Sequence, residues 1–270
     1  MNWVAALPMY NVTPALGRVW RVLLDHVHQH LRPWLDARGD TLTLVDPETS
    51  LQEFWLRDDL LLSQTCGYPL VQALDGRVQL VTTPVFSVDG CEDGNYHSVL
   101  VTRAAAKITS LAQCRGLRAA FNTPDSNSGM NLLRSAVAPL ADRQPLFASV
   151  VETGGHLASL QALQDDRADV AAIDCVTFAF VLDHRPELAH GLVEIGTTRS
   201  APGLPLIASK RVPAAGIEAL VSALADAVAH DRPLAKRLKL DGFARRPLED
   251  YASILEIELN AVELGYPRLA

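Results

Sequence analysis

The residue types best suited to chemistry gather in one segment, residues 122–131 (NTPDSNSGMN). It joins a run of strand character, residues 118–121, to a helical stripe carrying Met130, Leu133, Val137 and Leu140. Ser126 and Ser128 can offer O–H donors, and the first turn of a helix offers backbone N–H groups that lack intrahelical partners. Such a set suits a tetrahedral oxyanion. Gly129 would let the backbone come close, and neutral donors with the helix dipole would take the place of a lysine. The same residue types also make ordinary helix caps, with Asp125 or Ser126 in that role. The segment has neither the GxxxxGK nor the GxGxxG spacing of nucleotide-binding turns.

Other candidates follow other strand-like runs. Tyr10 follows WVAALPM, Gln64, Thr65 and Tyr68 lie in QTCGYPL, Thr153 and His156 lie in ETGGHLASL, and Asp174 ends VAAID. Each has a plainer reading beside the functional one. The tyrosines suit either a ligand wall or a core edge, His156 either a donor or a helix-start residue, and Asp174 either a ligand contact or the cap of the next helix. Ser126 or Ser128 with His156 and Asp174 has the residue types of a nucleophile, base and orienter. No GxSxG elbow accompanies them and no second acid stands ready for a leaving group, so the reading is binding and not catalysis. His26 and His30 stand at i and i+4 in DHVHQH, a spacing that metal ligands share with solvated helix faces. No metal and no cofactor is assigned.

Composition sets the bounds. At 270 residues and 49 % hydrophobic, the chain can build one large domain or two lobes with separate cores. A formal net charge of -7 argues against affinity built on neutralising nucleic-acid phosphates. No apolar run approaches the roughly 20 residues of a membrane span. No charged n-region with an apolar h-region opens the chain, so it reads as cytoplasmic as it stands, or periplasmic if a leader has been replaced by Met1. Cys66, Cys91, Cys114 and Cys175 show no CxxC spacing, and a Cys66–Cys91 bridge is one connectivity open to them in an oxidising compartment.

These candidates need strands and helices to position them, and the pattern alternates. Strands are predicted at residues 3–9, 41–45, 60–66, 78–86, 98–102, 118–121, 148–151, 170–173, 192–195 and 206–208. Helices fall between them at 13–31, 51–56, 69–74, near Leu111, at 129–140, along Leu157, Leu160 and Leu163, and at 176–182. Everything after residue 208 reads as helical, including 234–240 and 248–264. This implies an α/β fold of two lobes with mostly parallel sheets flanked by helices and two crossover strands between them. Lobe 1 is predicted to take residues 1–84 and 200–270, and lobe 2 residues 85–199. Ligands in open α/β sheets bind beyond the carboxyl ends of the strands, which directs attention to a cleft between the lobes.

A strand, a proline and then SNSG opening a helix resembles the phosphonate and phosphite receptors of ABC importers, the PhnD-like group of type II periplasmic binding proteins. The resemblance covers most of the chain and implies a solute receptor that closes by a hinge on a small oxyanion of the phosphonate, phosphate or phosphite class, with an ABC permease as partner. It carries over a ligand role to Ser126, Asn127 and Ser128, next to the Gly129 read above as the point of close backbone approach. Asn127 departs from the family's usual threonine. It also implies roles for Tyr10, Thr65, Tyr68, Thr153, His156 and, toward a ligand ammonium group, Asp174. An intracellular ligand sensor, or an enzyme on the same bilobal fold, is the alternative.

Overall fold

The computed structural model describes residues 1–270. In chain order the elements are β1 (Asn2–Ala6), α1 (Pro14–Asp36), β2 (Thr41–Leu44), α2 (Leu51–Trp55), β3 (Leu60–Gln64), α3 (Gly67–Val71), β4 (Val78–Phe86), β5 (Asn95–Tyr96) and β6 (Ser98–Arg103). Then come β7 (Arg118–Phe121), α4 (Leu132–Ala141), β8 (Ser149–Glu152), α5 (His156–Gln164), β9 (Val170–Asp174), α6 (Cys175–His184) and α7 (Pro186–Ala189). The chain finishes with β10 (Leu192–Thr197), β11 (Ala201–Pro202), β12 (Leu206–Ser209), α8 (Ala214–His230), α9 (Arg232–Arg237), β13 (Leu240–Ala244) and α10 (Ser253–Glu263). No helix is long and apolar enough to cross a membrane.

Local chemistry explains many of these boundaries. Thr13 is extended and its hydroxyl accepts the Leu16 N–H at 3.1 Å, with Pro14 opening the first turn of α1. Leu16, Val19, Trp20, Leu23, Leu24, Val27 and Leu31 bury one face of that helix, as their spacing predicts. The helix then runs on through Pro33 to Asp36, beyond the expected end at Leu31. Leu35, only 2 % exposed, gains burial from the additional turn. Ser50 and Glu53 form a reciprocal capping box at the start of α2.

The chain divides into two compact units. Unit 1 comprises Met1–Ser87, Glu92–Gly94 and Gly203–Asp250. Its sheet has the order β13-β4-β12-β3-β1-β2. The trio β2, β1 and β3 is parallel, and β12, β4 and β13 join antiparallel. Unit 2 comprises Val88–Cys91, Asn95–Pro202 and Tyr251–Ala270. Its sheet has the order β10-β6-β9-β7-β8, with β8, β7 and β9 parallel and β6 and β10 antiparallel. The α/β class therefore stands, with sheets that are mixed around a parallel trio.

Three local expectations need correction. Residues 240–244, read as helical, form β13, because they can pair with the free edge of β4 from Leu240↔Phe86 to Ala244↔Thr83. The segment 251–270, read as part of lobe 1, packs in unit 2. Ala261 and Tyr266 join a core with Leu133, Val137 and Val170, while Asn131 Nδ2 donates to the Ile254 carbonyl at 3.2 Å and Arg134 to the Pro267 carbonyl at 3.0 Å. An apolar stripe announces that a helix buries a face without saying against what. The Cys66–Cys91 bridge is not formed. Cys66 belongs to unit 1 and Cys91 to unit 2, where the Cys91 sulfur lies 3.6 Å from that of Cys175.

Because α10 completes the core of unit 2, Ile257→Ala, at a position 1 % exposed, is expected to destabilise that unit by about 2–5 kcal/mol. Amide hydrogen exchange checks this. Protection should fall in β7 and β9 while β1 and β3 keep theirs. A loss confined to β1 and β3 would contradict the placement of α10.

Candidate functional site

The carboxyl ends of β7, β8 and β9 are neighbours, because the three strands are parallel and in register from Ala119↔Val150 and Ala119↔Val170 onward. The turns that leave them carry the SNSG motif, the Thr153–His156 turn and Asp174. Their side chains and amides meet at one imidazole. Ser128 Oγ and His156 Nε2 are 2.8 Å apart, and the Asp174 N–H lies 3.4 Å from the same nitrogen. An amide N–H can only donate, so Nε2 accepts, Ser128 donates, and the ring proton sits on Nδ1. Nδ1 is shielded from solvent and has no hydrogen-bond partner within the protein. Burial pushes the imidazole well below the ordinary histidine value of 6.5, to about 3, so the ring is neutral near pH 7.

A single π-type turn positions Ser128. The Asn131 N–H reaches back to the Ser126 carbonyl at 3.0 Å, and the Leu132 N–H to the Asn127 carbonyl, both i to i+5 bonds. Such wide turns recur at functional sites because they re-aim one residue without breaking the helix. Ser126 is 7 %, Asn127 0 % and Ser128 5 % exposed, so the motif is enclosed and does not form an open rim.

Each remaining residue of the sequence set has a defined place. Ser126 Oγ accepts the Gly129 N–H at 3.0 Å, the plain capping role. Asn127 donates to the Tyr96 hydroxyl at 3.0 Å and accepts from Asn131 at 3.0 Å, so its side chain anchors the turn from within. Gly129 is glycine for a reason different from ligand approach. A Cβ there would stand 2.6 Å from Asn122 Cγ and Oδ1. Thr153 Oγ1 donates to the Phe121 carbonyl at 2.9 Å and lies 2.7 Å from Ser159 Oγ, which ties β8 to β7. The Asp174 carboxylate accepts the Thr177 N–H at 2.9 Å and caps α6.

In unit 1, Tyr10 and Thr65 follow the adjacent parallel strands β1 and β3, which pair at Ala6↔Ser63. Tyr10 adopts a left-handed conformation, φ 62°, and meets the Phe86 ring edge-on at 5.2 Å. Thr65 is fully buried, its N–H donating to the Pro205 carbonyl at 3.0 Å and its hydroxyl to the Cys66 carbonyl at 3.3 Å. Tyr68 lies buried in α3. Two hollows of about 500 and 530 Å³ also belong to unit 1, one lined by His26, His30, His230 and Asp231, the other by Leu7, Asn11, Thr13, Arg18 and Asp46 among others. Of the residues singled out from the sequence, only His26 and His30 line a hollow, and none of the candidate ligand contacts does.

Sequence reasoning missed the supports of this site. Ser98 Oγ donates to the Ser128 carbonyl at 3.0 Å, Tyr96 holds Asn127, and Asn122 fills the space beside Gly129. Asn122 stands inside the motif itself. Ser98 and Tyr96 come from a different strand region, and only the pairing of β6 with β9, Ser98↔Asp174, brings Ser98 to the site.

The family profile described as the periplasmic substrate-binding protein of ABC phosphonate transporters matches residues 20–251. Among solved structures, a binding protein component of an ABC phosphonate transporter from Pseudomonas aeruginosa superposes with a TM-score of 0.77 at 16 % identity, covering 97 % of this chain and 87 % of that one. PhnD1 of Prochlorococcus marinus, in complex with methylphosphonate, gives 0.74 at 15 % identity over 97 % and 98 %. An ATP-bound protein from Xanthomonas citri gives 0.67 at 16 % identity over 97 % and 98 %. At these identities the likeness is one of fold. No curated protein matches the chain by sequence.

The depressed histidine has a consequence for stability. Below pH 6.5 the unfolded chain takes up a proton that the folded imidazole refuses until about pH 3. The contribution is therefore intact above 6.5 and lost as the pH falls toward 3, at no more than about 1.4 kcal/mol per pH unit. His156→Gln is expected to flatten the acid limb of a stability-against-pH curve in that window. An unchanged limb would mean that the ring titrates normally in the fold.

Proposed function

Because the chain belongs to the family of periplasmic substrate-binding proteins of ABC phosphonate transporters, we propose that it captures a small oxyanion of the phosphonate, phosphate or phosphite class for an ABC permease. The observation that carries this reading is the convergence of Ser128, His156 and the Asp174 amide at the carboxyl ends of three parallel strands. The buried Nδ1–H of His156 is a donor without an acceptor in the protein, and an unsatisfied buried donor costs about 1–3 kcal/mol unless a ligand supplies the acceptor. An anion oxygen would accept from that N–H and from a Ser128 hydroxyl turned away from the ring. Donors held in a dry site bind a charged guest more strongly than they would in water.

The other residues divide by what their side chains already do. Ser126, Asn127, Gly129 and Thr153 would act through the backbone amides and the shape of the turns they hold. Asp174 would accept from an amine or a protonated oxygen on the ligand. Tyr10, Thr65 and Tyr68 would supply the surroundings from unit 1 when the two units close on the ligand, with the hinge motion typical of solute receptors. Methylphosphonate, present in the complex of PhnD1 from Prochlorococcus marinus, is the natural first ligand to test.

The same geometry disfavours hydrolysis. A serine triad needs an acid on the second ring nitrogen of its histidine. Here Nδ1 has no hydrogen-bond partner, and the Asp174 carboxylate accepts from the Thr177 amide.

Thermal unfolding with millimolar methylphosphonate, phosphite, phosphate and 2-aminoethylphosphonate tests the reading, since a ligand bound by the folded state raises Tm by mass action. At least one should raise it, and no response to any of them would refute the proposal. For the ligand that binds, Ser128→Ala should weaken affinity by about 5- to 150-fold, the loss of one hydrogen bond to a charged group worth roughly 1–3 kcal/mol. Ser126→Ala should instead cost about 1 kcal/mol of stability as a lost cap.

A further inference from the structure

Two cysteines outside the proposed binding role lie against one another. The sulfurs of Cys91 and Cys175 are 3.6 Å apart although the residues are 84 positions apart in the chain. Cys175 is 3 % exposed and opens α6, its N–H donating to the His97 carbonyl at 3.1 Å. Cys91 is half-buried and ends a turn closed by its own N–H on the Val88 carbonyl at 2.9 Å. That turn is seated closely against His97. Gly90 has φ +91°, and a Cβ there would stand 2.4 Å from the His97 ring. A residue other than glycine would have to displace either the His97 ring or the turn that carries Cys91.

We propose that Cys91 and Cys175 close an intramolecular disulfide when the folded chain meets an oxidising compartment, fastening the 88–91 turn to the start of α6 beside Asp174. A disulfide holds its sulfurs at about 2.05 Å, so closure needs a movement of about 1.5 Å, within reach of side-chain rotation at the accessible Cys91. The oxidant is a low-molecular-weight disulfide such as oxidised glutathione. The Cys91 thiolate attacks one of its sulfurs and expels a thiolate. Cys175, held protonated by its contact with Cys91 and by burial, acts second. It gives up its proton, attacks the Cys91 sulfur of the mixed disulfide and releases the second thiol. The pair loses two electrons and two protons, and the glutathione disulfide leaves as two thiols. Periplasmic proteins fold where such bonds persist.

The test takes the purified full chain, folded, through oxidised glutathione, then alkylates it under denaturing conditions and maps the peptides by mass spectrometry. Of the four cysteines, Cys66 and Cys114 should be alkylated, and one cross-linked species should join the peptides of Cys91 and Cys175. Cys66→Ser should leave that species intact, and Cys91→Ser should abolish it. The oxidised protein should melt about 5 °C or more above the reduced one, as expected for a bridge closing a long loop in a chain of this size, and Cys91→Ser should show no such difference. Four alkylated cysteines, glutathione retained on Cys91, or a bridge to Cys66 would each overturn the proposal.

Discussion

The site in unit 2 is organised around a neutral, half-buried imidazole whose Nδ1 is shielded from solvent. A histidine so placed must be hydrogen-bonded on one side and kept from protonating, and both requirements bear on the surrounding chain. Nε2 needs donors, which come from the Ser128 hydroxyl and the Asp174 amide. Those donors reach it only because β7, β8 and β9 run parallel and finish together. A shift in strand register would move the serine, the histidine and the amide to different levels and separate them.

Much of the remaining polar structure serves to hold the serine in place. The wide turn at 126–131 projects Ser128, and it is secured by Asn127 on Tyr96, by Asn131 on the Ile254 carbonyl and by Ser98 on the Ser128 carbonyl. The carboxyl-terminal segment therefore reaches the site through Asn131, although none of its residues is a candidate ligand contact. A fully satisfied polar network of this kind rigidifies what it surrounds. Among the groups that meet at the imidazole, the donor left unsatisfied is His156 Nδ1–H, and there a guest gains most.

The fold was largely legible in the sequence because its signals are local. Strand 118–121 followed by a Leu133 and Val137 stripe reads as strand and helix wherever it occurs, and β4 was legible from end to end. What was illegible is non-local. Residues 240–244 become a strand only by pairing with β4, and the 251–270 stripe gives no hint that it packs on α4. At the site, residue types pointed to the SNSG motif and to His156, which the structure brings together through Ser128. The division of labour among them was not legible. Ser126 and Asp174 turn their oxygens to backbone amides as caps, and Gly129 yields space to Asn122, distinctions set by contacts with residues far along the chain or by the turn's exact path. Cysteine pairing was illegible for the same reason, since spacing cannot reveal that Cys91 lies beside Cys175.

The central claim is that the His156 ring is a neutral Nδ1–H donor waiting for an anion. Nitrogen-15 NMR of the imidazole at pH 7, in the free protein and with saturating methylphosphonate, tests it most directly. The account predicts a free ring that is neutral with its proton on Nδ1, and a ligand-induced change in the Nδ1 resonance. A ring already protonated in the free protein, or one whose resonances ignore a ligand shown to bind, would contradict it.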